Sequence, residues 1–442
     1  MTRTLLSRLA FFLRRRRAPA AAALLAAAAG ASVAAQSWRA SAIASFDTAW
    51  QTINDTYYDP SFGGLDWSAV ARELRPKVEQ AGTPADARDV IRELLARLGR
   101  SHFTLLTPSA AEALPGPAAV PIDVRLRGDE VIVTRVWSTA AASGLSAGQL
   151  IAAIDGRPVA DLWRDVVARD DRTRQLLRWQ QVNRALHGDV SQVARLRVRP
   201  VDGAEREIDA ARGLPSGEFV TLGNMPPLQV QFEARDARTP AGRDAGVIAF
   251  SVWMVPVASP ITLAVDRFRQ RPGIVIDLRG NLGGLMSMIQ GVSGHFLAEP
   301  MLLGTMRTRQ NPLLFRANPR TVLDDGRRVE VYAGPVAILV DELTASTSEI
   351  FASAMQGLGR ARIFGRQTMG QALPAVTKTL PSGDVLLYAM GDFTAAGGRS
   401  VEGDGVVPDE RVPLSREALA RGADDILEAA LKWIDTAARA GR

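Results

Sequence analysis

The sequence predicts an α/β protein of several domains, and three observations carry the prediction. The chain has 442 residues, more than one ordinary core organises. From Val247 onward, short apolar strands alternate with helical stretches, the order of a mostly parallel sheet covered by helices. Two earlier stretches differ in texture, with helical periodicity over about 37–110 and strand alternation over about 115–212. The apolar fraction of 47% is ample for packed cores.

The formal charge of +6 is local. Arg3, Arg8 and Arg14 to Arg17 supply the whole excess, and without them 47 basic residues face 47 acidic ones. A nucleic-acid footprint is therefore not supported. The arginines precede an Ala/Leu-rich segment from Ala18 to Ala35, with small residues at Ser32, Ala34 and Ala35. That is the layout of an export signal over residues 1–35, cleaved near Ala34 or Ala35, so a periplasmic or secreted body is expected. The alternative is an uncleaved N-terminal membrane anchor. Cysteine is absent, which excludes disulfides, a thiol nucleophile and a thiolate metal site.

Taken in order, Phe46, Trp50, Ile53 and Tyr57 mark one helix face, ended by Asp59-Pro60 and Gly63-Gly64. Val90, Ile91, Leu94, Leu95 and Leu98 mark a second, stopped by Gly99, with Ser101 and His102 just beyond. After a linker over Leu114 to Ala119, Ile122, Val124 and Leu126 and then Val131 and Val133 form a hairpin around Arg127-Gly128-Asp129. The segment Ala141 to Val159 resembles the core of a PDZ domain, a module that takes an extended peptide, often by its free carboxylate, as an added strand. A helical stretch with Trp163, Leu176, Leu177 and Leu186 leads to strands Val193–Val201 and Glu205–Ile208. The last part, 213–442, holds strands at Val247–Phe250, Ile274–Ile276 and Val336–Val340, with helices at about 258–270, from Leu285 and from Ser346. A hairpin over Val376–Leu380 and Val385–Met390 follows, then an amphipathic helix with Ile426, Leu427, Ala430, Leu431 and Ile434 on one face.

Two strand-to-helix junctions carry chemistry. After Val340 the chain reads DELTASTSEI, placing hydroxyls where the free amides of a helix start point outward. A serine there can attack while neighbouring amides hold an oxyanion, although Ser, Thr and Glu at that place also make an ordinary capping box. The stretch IVIDLRGNLGGL ends a strand in glycines that let the backbone approach a bound group, or simply connect. Neither dinucleotide nor Walker phosphate spacing is present.

IDLRGNLGG, VDELTASTSEIFASAM, an FGRQTMGQ turn and VEGDGVVPD, together with YYDP and SHF nearer the start, resemble the tail-specific or C-terminal processing proteases and the related tricorn core proteases. The resemblance implies a crotonase-like sheet-and-helix core, peptide-bond hydrolysis by a serine, and no metal or cofactor. It assigns Ser346 as nucleophile, with Ser348 as competitor, and the amides of Gly284 and Thr347 as oxyanion donors, with Gly283 the weaker choice. The processing branch keeps a lysine 25 residues after the nucleophile, where this chain has Gln371, which cannot act as a base. The lysines are Lys77, Lys378 and Lys432, none in that motif. The tricorn-like set of serine, histidine, serine and glutamate is available instead as Ser346, His102, Ser101 and Glu402. Of the other histidines, His295 reads as packing and His187 as surface.

Adjacent strand residues face opposite ways, so Ser101 and His102 serve one site only through irregular backbone or with Ser101 behind the imidazole. The expectation is an exported serine endopeptidase acting on protein or peptide substrates, with domains at 37–110, 115–212 and 213–442. The rival readings are a non-catalytic PDZ-type scaffold on a degenerate protease fold, favoured by Gln371, and a ligand carrier.

Overall fold

A computed structural model describes residues 38–107, 115–137, 144–168, 170–214, 217–221 and 228–440. The expected export signal over 1–35 and part of the Leu114–Ala119 linker lie outside them, as do the first residues of the Ala141–Val159 segment. Three helices open the described chain, over 38–56, Trp67–Glu79 and Pro84–Ala96. The last begins at a capping box in which Thr83 and Asp86 each accept the other's amide. The middle helix is absent from the sequence expectations, although Trp67, Val70, Leu74 and Val78 mark its buried face. Pro76 in its last turn removes a helical N–H and disguises it.

Strands Ile122–Arg127, Glu130–Val136, Leu150–Ile154, Val193–Arg199 and Arg206–Ala211 form an antiparallel sheet in chain order. Helix Asp171–Leu186 lies against its edge strand Ile122–Arg127. Alternate residues face inward, as Ala194, Leu196 and Val198 do while Val193, Arg195 and Arg197 are exposed.

The C-terminal part is built on a six-stranded sheet in the order Phe232–Arg238, Asp244–Phe250, Ile274–Asp277, Val336–Val340, Arg362–Gly365, Glu410–Arg411. The first pair is antiparallel and the rest parallel. Val336, Ile338 and Val340 face a core with helices Ala258–Arg267, Met288–Gly294 and Thr347–Gly357. Ala337 and Leu339 face the opposite core under helix Asp425–Ala440, with Ile426, Ala430 and Ile434. Burial on both faces explains why this strand reads as an unbroken apolar run.

The helix expected from Leu285 starts at Met288 instead. Leu285 donates its amide to Trp253 O at 2.7 Å, so the loop pairs with Trp253 before it turns helical. The hairpin Ala375–Thr379 and Val385–Ala389 forms a small sheet with Thr104–Leu106. Leu105, Leu380 and Leu386 share one core with Phe46, Leu74 and Leu94. The N-terminal helices and the C-terminal hairpin therefore pack as one body, which carries the segment after Gly99 to the main sheet.

The antiparallel module meets the main sheet through a buried ion pair. Arg125 Nε donates to Asp341 Oδ2 at 2.7 Å, with side chains 12% and 2% exposed. Burial alone would raise the Asp341 pKa, but the Arg125 guanidinium, Arg366 and the Gly280 amide hold it at about 2. Removing one partner of such a pair strands the other charge. Arg125→Ala is expected to lower the unfolding free energy by about 3 kcal/mol in urea titrations. The stabilisation from Asp341 is complete above its unfolded pKa near 4 and is lost as the pH falls toward 2. An unchanged urea midpoint at pH 7 would exclude the pair as an anchor.

Candidate active site

Strand Val336–Val340 ends at Asp341, and the chain then crosses a tight turn into helix Thr347–Gly357. Thr344 ties the turn to the neighbouring strand: its hydroxyl accepts Asp341 N at 3.0 Å and donates to Leu278 O at 2.8 Å. Ser346, at the helix N-cap, has φ +55° and ψ −122°, a backbone state that costs a non-glycine residue about 1–3 kcal/mol. The surroundings impose it. The Ser346 amide donates to Gln371 O at 2.9 Å and to Glu349 Oε2 at 3.1 Å, and the Ala345 amide donates to Asn281 O at 3.0 Å. The side chain of Ser346 is half-buried, while Thr347 and Ser348 are buried.

The glycine loop lies directly under this elbow. A Cβ on Gly283 would stand 2.6 Å from Ser346 Cβ, and one on Gly284 would stand 2.3 Å from Trp253 O, so neither position admits a side chain. The Gly283 amide is already committed to Asn281 Oδ1 at 3.0 Å. The amides of Gly284 and Thr347 have no acceptor among the described residues. The Thr347 hydroxyl donates to Gly284 O at 2.8 Å and locks these two residues together. The competitor Ser348 is fully buried and accepts the Trp253 indole N–H at 2.8 Å, which removes it from reach of a substrate.

Ser101, His102 and Glu402 meet. Glu402 Oε1 accepts the Ser101 amide at 2.9 Å, and Oε2 accepts the Ser101 hydroxyl at 2.8 Å and the Ala372 amide at 3.0 Å. Ser101 Oγ lies 2.8 Å from His102 Nδ1. The hydroxyl has one proton and gives it to the carboxylate, so it accepts from His102 Nδ1–H, and Nε2 keeps its lone pair. His102 has φ +59°, so the backbone is irregular and Ser101 also stands behind the imidazole. Burial pushes the His102 pKa down to about 4. Among the described residues no hydrogen bond joins the imidazole to Ser346. The two halves connect through residues 371 and 372, whose carbonyl and amide take Ser346 and Glu402 respectively.

Among the described residues Gln371 enters this arrangement through its main chain alone, donating its amide to Glu349 Oε2 at 3.0 Å and accepting from Ser346 N. His295 is buried with Nε2 3.2 Å from Thr262 Oγ1, a packing residue as expected. His187 Nδ1 lies 2.7 Å from Asn183 O and is half-buried rather than on the surface.

Glu349 is the residue whose importance the sequence understated. It is fully buried and accepts from Ser346 N, Gln371 N, Gly370 N at 2.7 Å and the Thr368 hydroxyl. Burial raises its pKa to about 7 against the pull of these four donors. Its place three residues after Ser346 marks it as a capping-box glutamate, and that is the signal available in the sequence.

Residues 244–412 match the family model Peptidase family S41, and residues 40–96 match the Tricorn protease C1 domain. The chain is a serine peptidase, and the family S41 match lies on its C-terminal part, residues 244–412. It is 22% identical over 377 residues to a carboxyl-terminal-processing protease of Picosynechococcus sp., covering 83% of this chain and 82% of that one. A chloroplastic C-terminal processing peptidase of Tetradesmus obliquus is 26% identical over 402 residues, covering 85% and 77%. Two tricorn protease homologs of Streptomyces coelicolor are each 25% identical, and the chain spans only 33% and 35% of their length. Among solved structures, mature CPAF superposes with a TM-score of 0.62 at 14% identity, over 91% of this chain and 98% of that one. The photosystem II D1 C-terminal processing protease gives 0.56 at 23% identity, over 89% and 97%. At these identities the superpositions establish a common mixed α/β fold.

Glu349→Gln is expected to turn an acceptor into a donor facing other donors. Loss of about 1–3 kcal/mol of stability and a large fall in serine labelling should follow, measured by denaturation and by phosphonate reactivity. Wild-type values in both measurements would remove the hub role.

Proposed function

We propose that this peptidase is an exported serine endopeptidase that cleaves protein or peptide chains through Ser346, His102, Ser101 and Glu402. The observation that carries the reading is the hydrogen-bonded line from Glu402 through Ser101 to His102 Nδ1, which leaves Nε2 as the base. In this mechanism Nε2 takes the Ser346 proton as Oγ attacks the scissile carbonyl. The free amides of Gly284 and Thr347 receive the negative charge on the tetrahedral oxygen. Glu402, relayed by the Ser101 hydroxyl, stabilises the imidazolium that forms, and the same proton then goes to the leaving amine. Gln371 supplies no proton transfer, since an amide cannot act as a base at neutral pH.

The sheet with helices on both faces supports a crotonase-like core, and the antiparallel module over 115–212 is read as PDZ-like. Its edge strand Ile122–Arg127 is the place for a substrate strand, entered by its C-terminus. In the described conformation Val124 O on that strand already accepts the Trp179 indole at 3.1 Å and Arg125 Nη1 at 3.0 Å. Strand addition there therefore requires Trp179 to withdraw. The arginine cluster and Ala/Leu segment over 1–35 support export.

A fluorophosphonate is expected to label Ser346, and Ser346→Ala should abolish labelling and proteolysis. His102→Ala should reduce turnover by on the order of ten-thousand-fold, and Gln371→Ala by only a few-fold. Because burial holds the His102 pKa near 4, the base stays neutral well below the usual imidazole range. The limb of kcat/KM owed to His102 should fall below about pH 5, and any loss nearer 7 belongs to Glu349, which burial holds at about that value. The absence of a limb below 5 would mean that the imidazole works in water rather than buried. Full labelling of His102→Ala would eliminate it as the base.

A further inference from the structure

Arg172 occupies the second position of helix Asp171–Leu186, where a cation opposes the helix dipole. Its guanidinium nevertheless makes a specific set of contacts outside its own module. Nη1 donates to Asp404 O at 2.6 Å and reaches Thr368 O at 3.4 Å, and Nη2 donates to Gly403 O. Among the described residues it makes no ion pair with a carboxylate. The three carbonyls belong to two turns, the one that carries Glu402 and the one that runs from Thr368 to Gln371.

Those turns are stitched together beneath it. The Gly403 amide donates to Gly370 O at 2.9 Å, the Thr368 amide to Val406 O at 3.2 Å, and the Val406 amide to the Thr368 hydroxyl at 2.6 Å. Gly370 has φ +74°, and a Cβ there would lie 2.7 Å from Gly403 O and 3.0 Å from Arg172 Nη1. The seat is therefore open backbone, shaped to receive a planar group with several donors. Glu349 holds the Thr368–Gln371 turn from the buried side, and Arg172 holds it from the outer side. The same helix presses Leu176 and Trp179 against Leu343, Ala345 and Met369, one residue from Ser346.

We propose that Arg172 is a positioning residue for the catalytic machinery: by gripping Thr368, Gly403 and Asp404 it fixes the turn that aims Glu402 at Ser101. The antiparallel module then supplies a structural part of the active site, and losing the grip lowers turnover without weakening substrate binding. The inference rests on the reading of Glu402 given above.

The test compares fluorophosphonate labelling rates and casein hydrolysis for the wild type, Arg172→Ala, Arg172→Lys, Glu402→Gln and the Arg172→Ala/Glu402→Gln double variant. Arg172→Ala should label at least tenfold more slowly, with kcat reduced by a similar factor and KM changed less than threefold. Added guanidinium ion at low millimolar concentration should restore part of the rate. Arg172→Lys should lie between, because an ammonium cannot span three carbonyls. In the Glu402→Gln background Arg172→Ala should cost little more. A wild-type rate for folded Arg172→Ala, or an equal further loss in the Glu402→Gln background, would overturn the inference. If Arg172→Ala fails to fold, a wild-type rate for folded Arg172→Lys does the same. An unlabelled wild type, or a fully active Glu402→Gln, would instead sink the underlying catalytic reading, whatever Arg172 does.

Discussion

A single buried carboxylate holds the centre of this molecule together. Glu349 gathers four donors from two segments that are distant in sequence: the start of helix Thr347–Gly357 and the Thr368–Gln371 turn. Burying an acid is costly unless its lone pairs are filled, and here they are filled by groups that must be held still for other reasons. The Ser346 amide is one of them, so the strained elbow and the buried acid stabilise each other. The other end of the turn passes Ala372 N to Glu402, and the line to His102 begins there. Packing supports the arrangement from outside, through the doubly buried Val336–Val340 strand and the Trp253–Ser348 bond under the elbow.

Much of this was legible in the residues. The unbroken VAILV run, the glycines of NLGGL and the alternation in the Ile122–Val136 hairpin state their burial or turn directly. The cap and nucleophile readings of the Ser346 junction are not rivals, because Glu349 caps through the backbone of Ser346 while the serine side chain stays half-buried. Helix Trp67–Glu79 is hidden by Pro76, and the late start of helix Met288–Gly294 follows from pairing with Trp253, a contact that no local pattern announces. The geometry around Ser101 and His102 depends on a positive φ at a non-glycine residue and on a glutamate 301 residues away. Neither can be read from periodicity.

The substitution at Gln371 looks drastic in the sequence and mild in the structure. What the turn takes from this position is an amide for Glu349 and a carbonyl for Ser346, and every residue except proline offers both. A side chain can change here without moving the elbow.

The distance in sequence between Ser101 and Glu402 has a temporal meaning as well. The Ser101–His102–Glu402 cluster is complete only when strand Thr104–Leu106 has joined a hairpin from almost the other end of the chain and residue 402 is in place. Until then nothing orients the His102 imidazole. A cluster drawn from such distant parts of the chain forms only after nearly all of it has been made.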